Sequence, residues 1–235
     1  MLEKQVTSIS FFKYERISDK FKALKNMGVM PPAFAKVDGL HFSKLMGSGR
    51  GNGFSIKPNF GIYAFLGVWN TLTEAQDFLK GSLFGKLKAG STQNWTCIMK
   101  AFQAHGQWDG KEPFDINTSY DGQGRIGVIT RATIKTKYLY KFWKDVPAVS
   151  KSIENKSGRI FSIGIGELPL ILQSTFSIWE SKKHMEDFAY KSKYHRDVVQ
   201  KTRKLGWYSE ELFARFVILE SIGDFGLKPR LKDHH

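Results

Sequence analysis

Eight stretches of this chain are rich in β-branched and aromatic residues and bounded by turn residues, which predicts strands. They are Ser8–Phe12, Gly39–Ser43, Gly61–Val68, Thr96–Phe102, Gly127–Thr133, Gly158–Ser162, Ser174–Ile178 and Leu212–Leu219. Between them, apolar residues recur at three- and four-residue spacing. Phe21, Leu24 and Met27 form one such stripe, and Tyr138, Phe142, Val146 and Val149 form another. That periodicity predicts amphipathic helices, the second kinked or ended by Pro147.

The pattern repeats. Trp69 and Phe78 in WNTLTEAQDF stand 110 positions before Trp179 and Phe188 in WESKKHMEDF. Asn94-Trp95 answers Gly206-Trp207, and Gly39–Ser43 answers Gly158–Ser162. Each half therefore reads strand, helix, strand, strand, helix, strand, the ferredoxin-like order. Such a sheet carries helices on one face only, and a second copy is the natural cover for the other. The expected fold is α+β, with two ferredoxin-like βαββαβ repeats forming a dimeric α+β barrel within one chain. The expected boundaries are a first repeat over 1–105, a connector over 106–126, a second repeat over 127–223 and a tail over 224–235. The stretch Gly106 to Gly127 is the most linker-like, with several glycines and Pro113.

Composition narrows the function classes. The chain has 235 residues, 41% hydrophobic and 25% charged, which is ordinary globular composition. One cysteine, Cys97, excludes an internal disulfide framework and a cysteine-cluster zinc site. No leader-like apolar segment opens the chain, and no apolar run approaches the roughly 18 residues that span a bilayer. The expectation is a cytoplasmic protein, in contact with a membrane at most peripherally. The net charge of +14 favours anionic partners. Nucleic acid is not expected among them, because there is no RNP1-like run and the sheet faces would be packed together.

Candidate chemistry is sparse. Counting on from the two Asp-Phe pairs sets Phe84-Gly85 against Tyr194-His195, so His195 has no imidazole counterpart in the first half. An imidazole near a helix end can ligate a metal or haem iron, or can simply cap the helix. His41 lies on a strand, His184 in a charged helix and His105 at the connector, with no metal-pair spacing among them. The loop from Gly47 to Gly53 is neither a dinucleotide fingerprint nor a P-loop. With Arg50 it reads as an anion cradle or a plain hairpin loop. Arg131 and Arg215 sit in strands and read either as ligand partners or as structural ion pairs. The closing His234-His235 pair has the look of a tag remnant and is set aside.

The segments GLHFSKLMGSGRGNGF, ITRATI, LYKFWKDVPAVSKSI, FSIGIGELPLILQSTFSIW, MEDFAY and GWYSEELFARFVIL together resemble the spheroidene monooxygenase family of carotenoid ketolases, over roughly Ser8 to Gly223. The resemblance implies an oxidoreductase on a dimeric α+β barrel that uses haem b, with iron held by His195. It implies an acyclic carotenoid or similar apolar substrate, O2 and an electron donor. Oxygen enters an allylic methylene, and repeated hydroxylation of one carbon yields a ketone. Arg131, Lys44 and Arg50 are the candidates for the distal side, and Phe176 and Trp179 for the pocket wall or the core. The positive charge suits haem propionates and docking on an acidic bilayer. Related barrels often assemble further, so a homo-oligomer is one expectation. The alternatives are a haem protein of the same scaffold with aldoxime dehydratase-like or peroxidase-like chemistry, and a non-catalytic carrier of haem or an apolar ligand.

Overall fold

Every stretch with strand character is found as a strand of one closed antiparallel barrel. In this computed structural model, residues 4–51, 53, 55–116, 118–144, 146, 156–191, 202 and 204–225 are described. The strands are β1 (Val6–Lys13), β2 (Leu40–Gly49), β3 (Pro58–Trp69), β4 (Gln93–Gly106), β5 (Ile126–Ile134), β6 (Arg159–Leu168), β7 (Leu172–Trp179) and β8 (Tyr208–Asp224). Their order around the barrel is β1-β3-β2-β6-β7-β5-β8-β4. Read by halves this is β4-β1-β3-β2 and β8-β5-β7-β6, the same order twice. The duplication seen in the sequence is therefore a duplication of topology.

Two seams join the halves, and they differ. On one, β4 and β8 pair from Asn94 opposite Asp224 to Gly106 opposite Leu212. On the other, β2 and β6 pair only at Gly47 opposite Gly166 and Ser48 opposite Ile165.

Strand alternation sorts the side chains. Ile9 and Phe11 of β1, Met46 of β2, Leu66 of β3, Trp95 and Cys97 of β4, Ile163 of β6, Phe176 of β7 and Phe216 of β8 fill one interior cluster drawn from all eight strands. Phe11 lies 5.7 Å from Trp95 and 5.8 Å from Phe176 in stacked geometry. Burial pushes the Cys97 thiol well above its usual pKa, so it stays protonated among these rings. The next residues along, such as Phe12 and Phe65, face outward into a second cluster beneath the helices of the first half.

Those helices are α1 (Ile17–Val29), α2 (Pro31–Phe34), α3 (Leu72–Lys80) and α4 (Ser82–Lys88). In the second half, a 3-10 turn at Thr136–Tyr138 leads into helical residues 139–144, and α5 spans Lys182–Lys191. α3 starts with a reciprocal cap: the Thr71 hydroxyl accepts from the Glu74 N–H, and the Glu74 carboxylate accepts from the Thr71 N–H. Ser181 just ahead of α5 and His184 in its first turn occupy the matching positions, with the Ser181 hydroxyl 3.0 Å from His184 Nδ1. Gly39 and Gly158 both hold positive φ against these caps, where a Cβ would collide with Glu74 or His184. His184 is thus half-buried in a cap.

Two expectations need correction. The stripe of Phe21 and Leu24 on α1 does not pack inward; Phe21 is 68% and Leu24 45% exposed, and Met27 alone of the three reaches the core. The helix instead buries Ala23 and Asp19, because small Ala23 allows close approach and the Asp19 carboxyl lies against Gly90. The connector is also more than a linker. Its Trp108 is fully buried and its Phe114 nearly so, both in the barrel interior.

Candidate functional site at the short seam

The inward face of β2 carries Phe42, Lys44 and Met46 in alternation; that of β6 carries Ile163, Ile165 and Glu167. Lys44 and Glu167 meet across the short seam, Nζ to Oε2 at 2.6 Å. Lys44 also pairs with Asp109 from the connector, Asp109 with Arg131 of β5 at 3.3 Å, and Arg131 with Glu210 of β8. The chain of charges runs Glu167, Lys44, Asp109, Arg131, Glu210. Trp108 lies under it and donates from Nε1 to Glu167 Oε1 at 2.7 Å, with the Arg131 guanidinium 5.8 Å from its ring. The Asp109 and Gly110 N–H groups donate to Glu210. The network therefore pins the connector over the end of the barrel at which β4 runs out.

The protonation states follow from these contacts. Burial works against the Lys44 ammonium, but Asp109 and Glu167 outweigh it and hold its pKa above the usual lysine value. Burial likewise opposes ionisation of Glu210, but the N–H groups of Gly110 and Asp109, with Arg131, hold its pKa below the usual carboxylate value. The site sets two basic side chains against three acidic ones. Lys44 and Arg131 are committed to the chain's own acids, and the buried Arg131 Nε has no partner among the described residues.

Outside the barrel wall, along the same short seam, runs a cleft of about 190 Å³. Its lining is largely apolar: Leu24 and Met27 of α1, Ile56 and Phe60 around the start of β3, Trp143, and Leu170 of the β6–β7 turn. Trp143 is held in place by donating to the Leu170 carbonyl at 3.1 Å. Ser48 donates to the Gly164 carbonyl at 2.8 Å, and Gly53 lies so close to Gly164 that a Cβ there would fall 2.0 Å from its oxygen. Tyr63 is nearly fully buried at the cleft, and its hydroxyl has no partner among the described residues. Burial raises its pKa, so the phenol stays protonated.

The other sequence candidates are dispersed. Phe176 is inside the barrel, whereas Trp179 faces outward, stacked on Phe188 at 5.1 Å and donating to the Ser177 hydroxyl. Arg50 is exposed on the β2–β3 loop. These three do not converge on one cavity. His41 and His105 are exposed, and Arg215 is buried beside Glu186 at 3.8 Å. His195, Pro147, Val149, His234 and His235 lie outside the described residues.

Sequence reasoning missed Asp109, Glu167 and Glu210. Two of them had a signal. Glu167 continues the inward series Ile163, Ile165, and Glu210 opens the inward series Leu212, Ala214, Phe216. A carboxylate in line with core residues announces a buried partner.

No family model matches the chain. Among solved structures, two aldoxime dehydratases share the fold. One matches with a TM-score of 0.62 at 13% identity, covering 94% of this chain and 84% of that one. The other, in complex with butyraldoxime, matches at 0.61 and 12% identity, covering 93% and 80%. In sequence, the spheroidene monooxygenase of Rhodobacter capsulatus is 30% identical over 223 residues, 94% of this chain and 92% of that protein. The spheroidene monooxygenase of Cereibacter sphaeroides is 32% identical over 221 residues, 93% of this chain and 68% of that protein. With that identity held along nearly its whole length, the chain belongs to the spheroidene monooxygenase family.

Proposed function

We propose that this protein is a haem-dependent monooxygenase that oxidises an allylic methylene of an acyclic carotenoid, working at a membrane surface. The observation that carries the reading is the identity to spheroidene monooxygenases along almost the entire chain. In each hydroxylation one O2, two electrons and two protons leave one oxygen in a C–H bond and the other in water. A second hydroxylation at the same carbon gives a gem-diol, which loses water to the ketone. The electron donor is an external partner.

The described residues supply binding rather than redox chemistry. The apolar cleft has room for a segment of a narrow hydrocarbon chain rather than the whole of it, and the protonated Tyr63 hydroxyl beside it is a buried donor with no acceptor among the described residues. The Lys44–Glu167 pair and the pinned connector keep water from the barrel interior behind it.

Haem is not accommodated by the described residues alone. The barrel interior is filled by aromatic and aliphatic side chains, and the cleft is smaller than the roughly 300 Å³ at which ligand pockets begin. No described histidine faces either space. The haem reading rests on the family resemblance and on His195. If bound, haem would supply the oxygen activation.

The test is a haemin titration of the protein beside His195→Ala, followed by turnover on an acyclic carotenoid. A saturable Soret band lost in the variant, with a product heavier by one oxygen less two hydrogens, supports the reading. Saturable binding with turnover of an aldoxime instead moves the protein to the chemistry of its structural neighbours. Binding without any turnover leaves a carrier. Absence of specific haemin binding sinks the oxygenase mechanism.

A further inference from the structure

We infer that the face around the cleft mouth, built on α1, seats this protein on an anionic phospholipid bilayer. The inference rests on the carotenoid reading above, since a bilayer is where so apolar a chain resides. Its own footing is the surface.

Three segments remote in sequence expose large apolar side chains here. α1 presents Ile17, Phe21 and Leu24, four and three residues apart and so on one helix face. The β2–β3 connection and the first residues of β3 present Ile56 and Phe60, and the β6–β7 turn presents Leu170. Leu24, Ile56, Phe60 and Leu170 line the same cleft, so the segments form one patch rather than scattered residues. A contiguous exposed apolar patch with a polar rim marks an interaction surface.

The charge of the rim selects the partner. On and beside α1 stand Arg16, Lys20, Lys22 and Lys25. The helix's own acid, Asp19, is buried and lies 3.8 Å from Lys22; Glu15, just ahead of the helix, is held by Lys13 at 3.1 Å. From Gly47 to Phe60 there are Arg50 and Lys57 and no acid. Residues 135–144, which bring Trp143 to the cleft, carry Lys135, Lys137, Lys141 and Lys144 and no acid. The β6–β7 turn adds no cation, and Glu167 just before it is tied to Lys44. An apolar stripe rimmed by cations on α1, the β2–β3 connection and residues 135–144 fits a helix lying in the headgroup layer of an anionic leaflet. A second copy of the chain would bring the same cations against themselves. Among the described residues no helix is long and apolar enough to cross a membrane, so attachment through them is to the surface. In this seating the cleft opens toward the acyl chains, and the substrate enters without crossing water.

The test is cosedimentation of the full chain with vesicles of phosphatidylcholine alone and of phosphatidylcholine with phosphatidylglycerol. Ile17→Ser/Phe21→Ser removes the two stripe residues that do not line the cleft, and both are exposed, so the fold tolerates the change. Lys25→Glu/Lys57→Glu reverses the rim. We expect salt-sensitive binding to the anionic vesicles, weakened about tenfold or more by either variant. Each variant should still match the unmodified protein on detergent-dispersed carotenoid while losing turnover of vesicle-borne carotenoid. Equal binding to both vesicle types, unchanged binding of both variants, or lipid-free self-association abolished by the same substitutions overturns the inference. Vesicle binding that follows the expected pattern without carotenoid turnover in either form leaves the docking surface standing and removes the functional reading.

Discussion

The two seams that close this barrel do so by different means. Along the β4–β8 seam the backbone carries the closure, with a ladder from Asn94–Asp224 to Gly106–Leu212 reinforced by Trp95 Nε1 donating to the Ser221 hydroxyl at 2.8 Å. Along the β2–β6 seam two residue pairs suffice for the ladder, and the rest comes from side chains, Lys44 to Glu167 and Ser48 to Gly164, and from the close backbone approach of Gly53 to Gly164. A long ladder leaves no room for a ligand. A short one leaves a slot in the barrel wall, and the cleft lies along it. Duplication alone does not impose this asymmetry, because each seam pairs a strand with its own counterpart and the two are free to diverge.

The largest expected effect lies on the long-seam side. Trp95→Ala removes a fully buried indole stacked on Phe11 and should cost about 3–5 kcal/mol in urea unfolding. Next is Lys44→Met. It strands Glu167 and Asp109, and with both of the Lys44–Glu167 side chains partly open to solvent the loss should be about 2 kcal/mol. Adding Glu167→Gln keeps an acceptor for Trp108 and should recover most of that loss. Failure to recover would mean that the pair does not hold the short seam.

Acid and base should act on the charged end before they act on the aromatic interior. Glu210 has a lowered pKa in the fold, so its contribution is whole above the ordinary value of 4.5 and is lost as pH falls below it. Lys44 has a raised pKa, so its contribution is whole below 10.5 and is lost as pH rises beyond it. Stability measured across pH should fall as pH drops below about 4.5 and Glu210 takes up its proton, and fall again as pH rises above about 10.5 and Lys44 loses its own. Smaller again, Ser48→Ala removes one hydrogen bond at the short seam and should cost about 1 kcal/mol. Tyr63→Phe should cost nothing in thermal unfolding, since it removes a buried hydroxyl that has no partner among the described residues. If that hydroxyl holds the substrate, the same variant raises KM.

The strands were legible because each is a run of β-formers between turn residues, and the repeat was legible because Trp, Asp-Phe and glycine landmarks keep their spacing. The α1 stripe misleads for a physical reason: periodicity reports that a helix has an apolar face, not what that face meets. Here Ala23 and Asp19 take the sheet side, and Phe21 is left outside. The connector misleads in the opposite sense. Its glycines and polar residues read as a linker, yet one indole, Trp108, finds the barrel end and a carboxylate to accept from it.

Local pattern by itself determined the eight strands, the two-fold repetition and hence the barrel, since alternation and spacing are properties of neighbouring residues. The family followed from resemblance spread along the whole chain. Only the tertiary structure decided that Lys44 and Arg131 are spent on Asp109, Glu167 and Glu210. It alone brought α1, the β2–β3 loop and the β6–β7 turn to one cleft. Those outcomes depend on register across a closed barrel, where residues more than a hundred positions apart become neighbours, and no local pattern encodes which of them will meet.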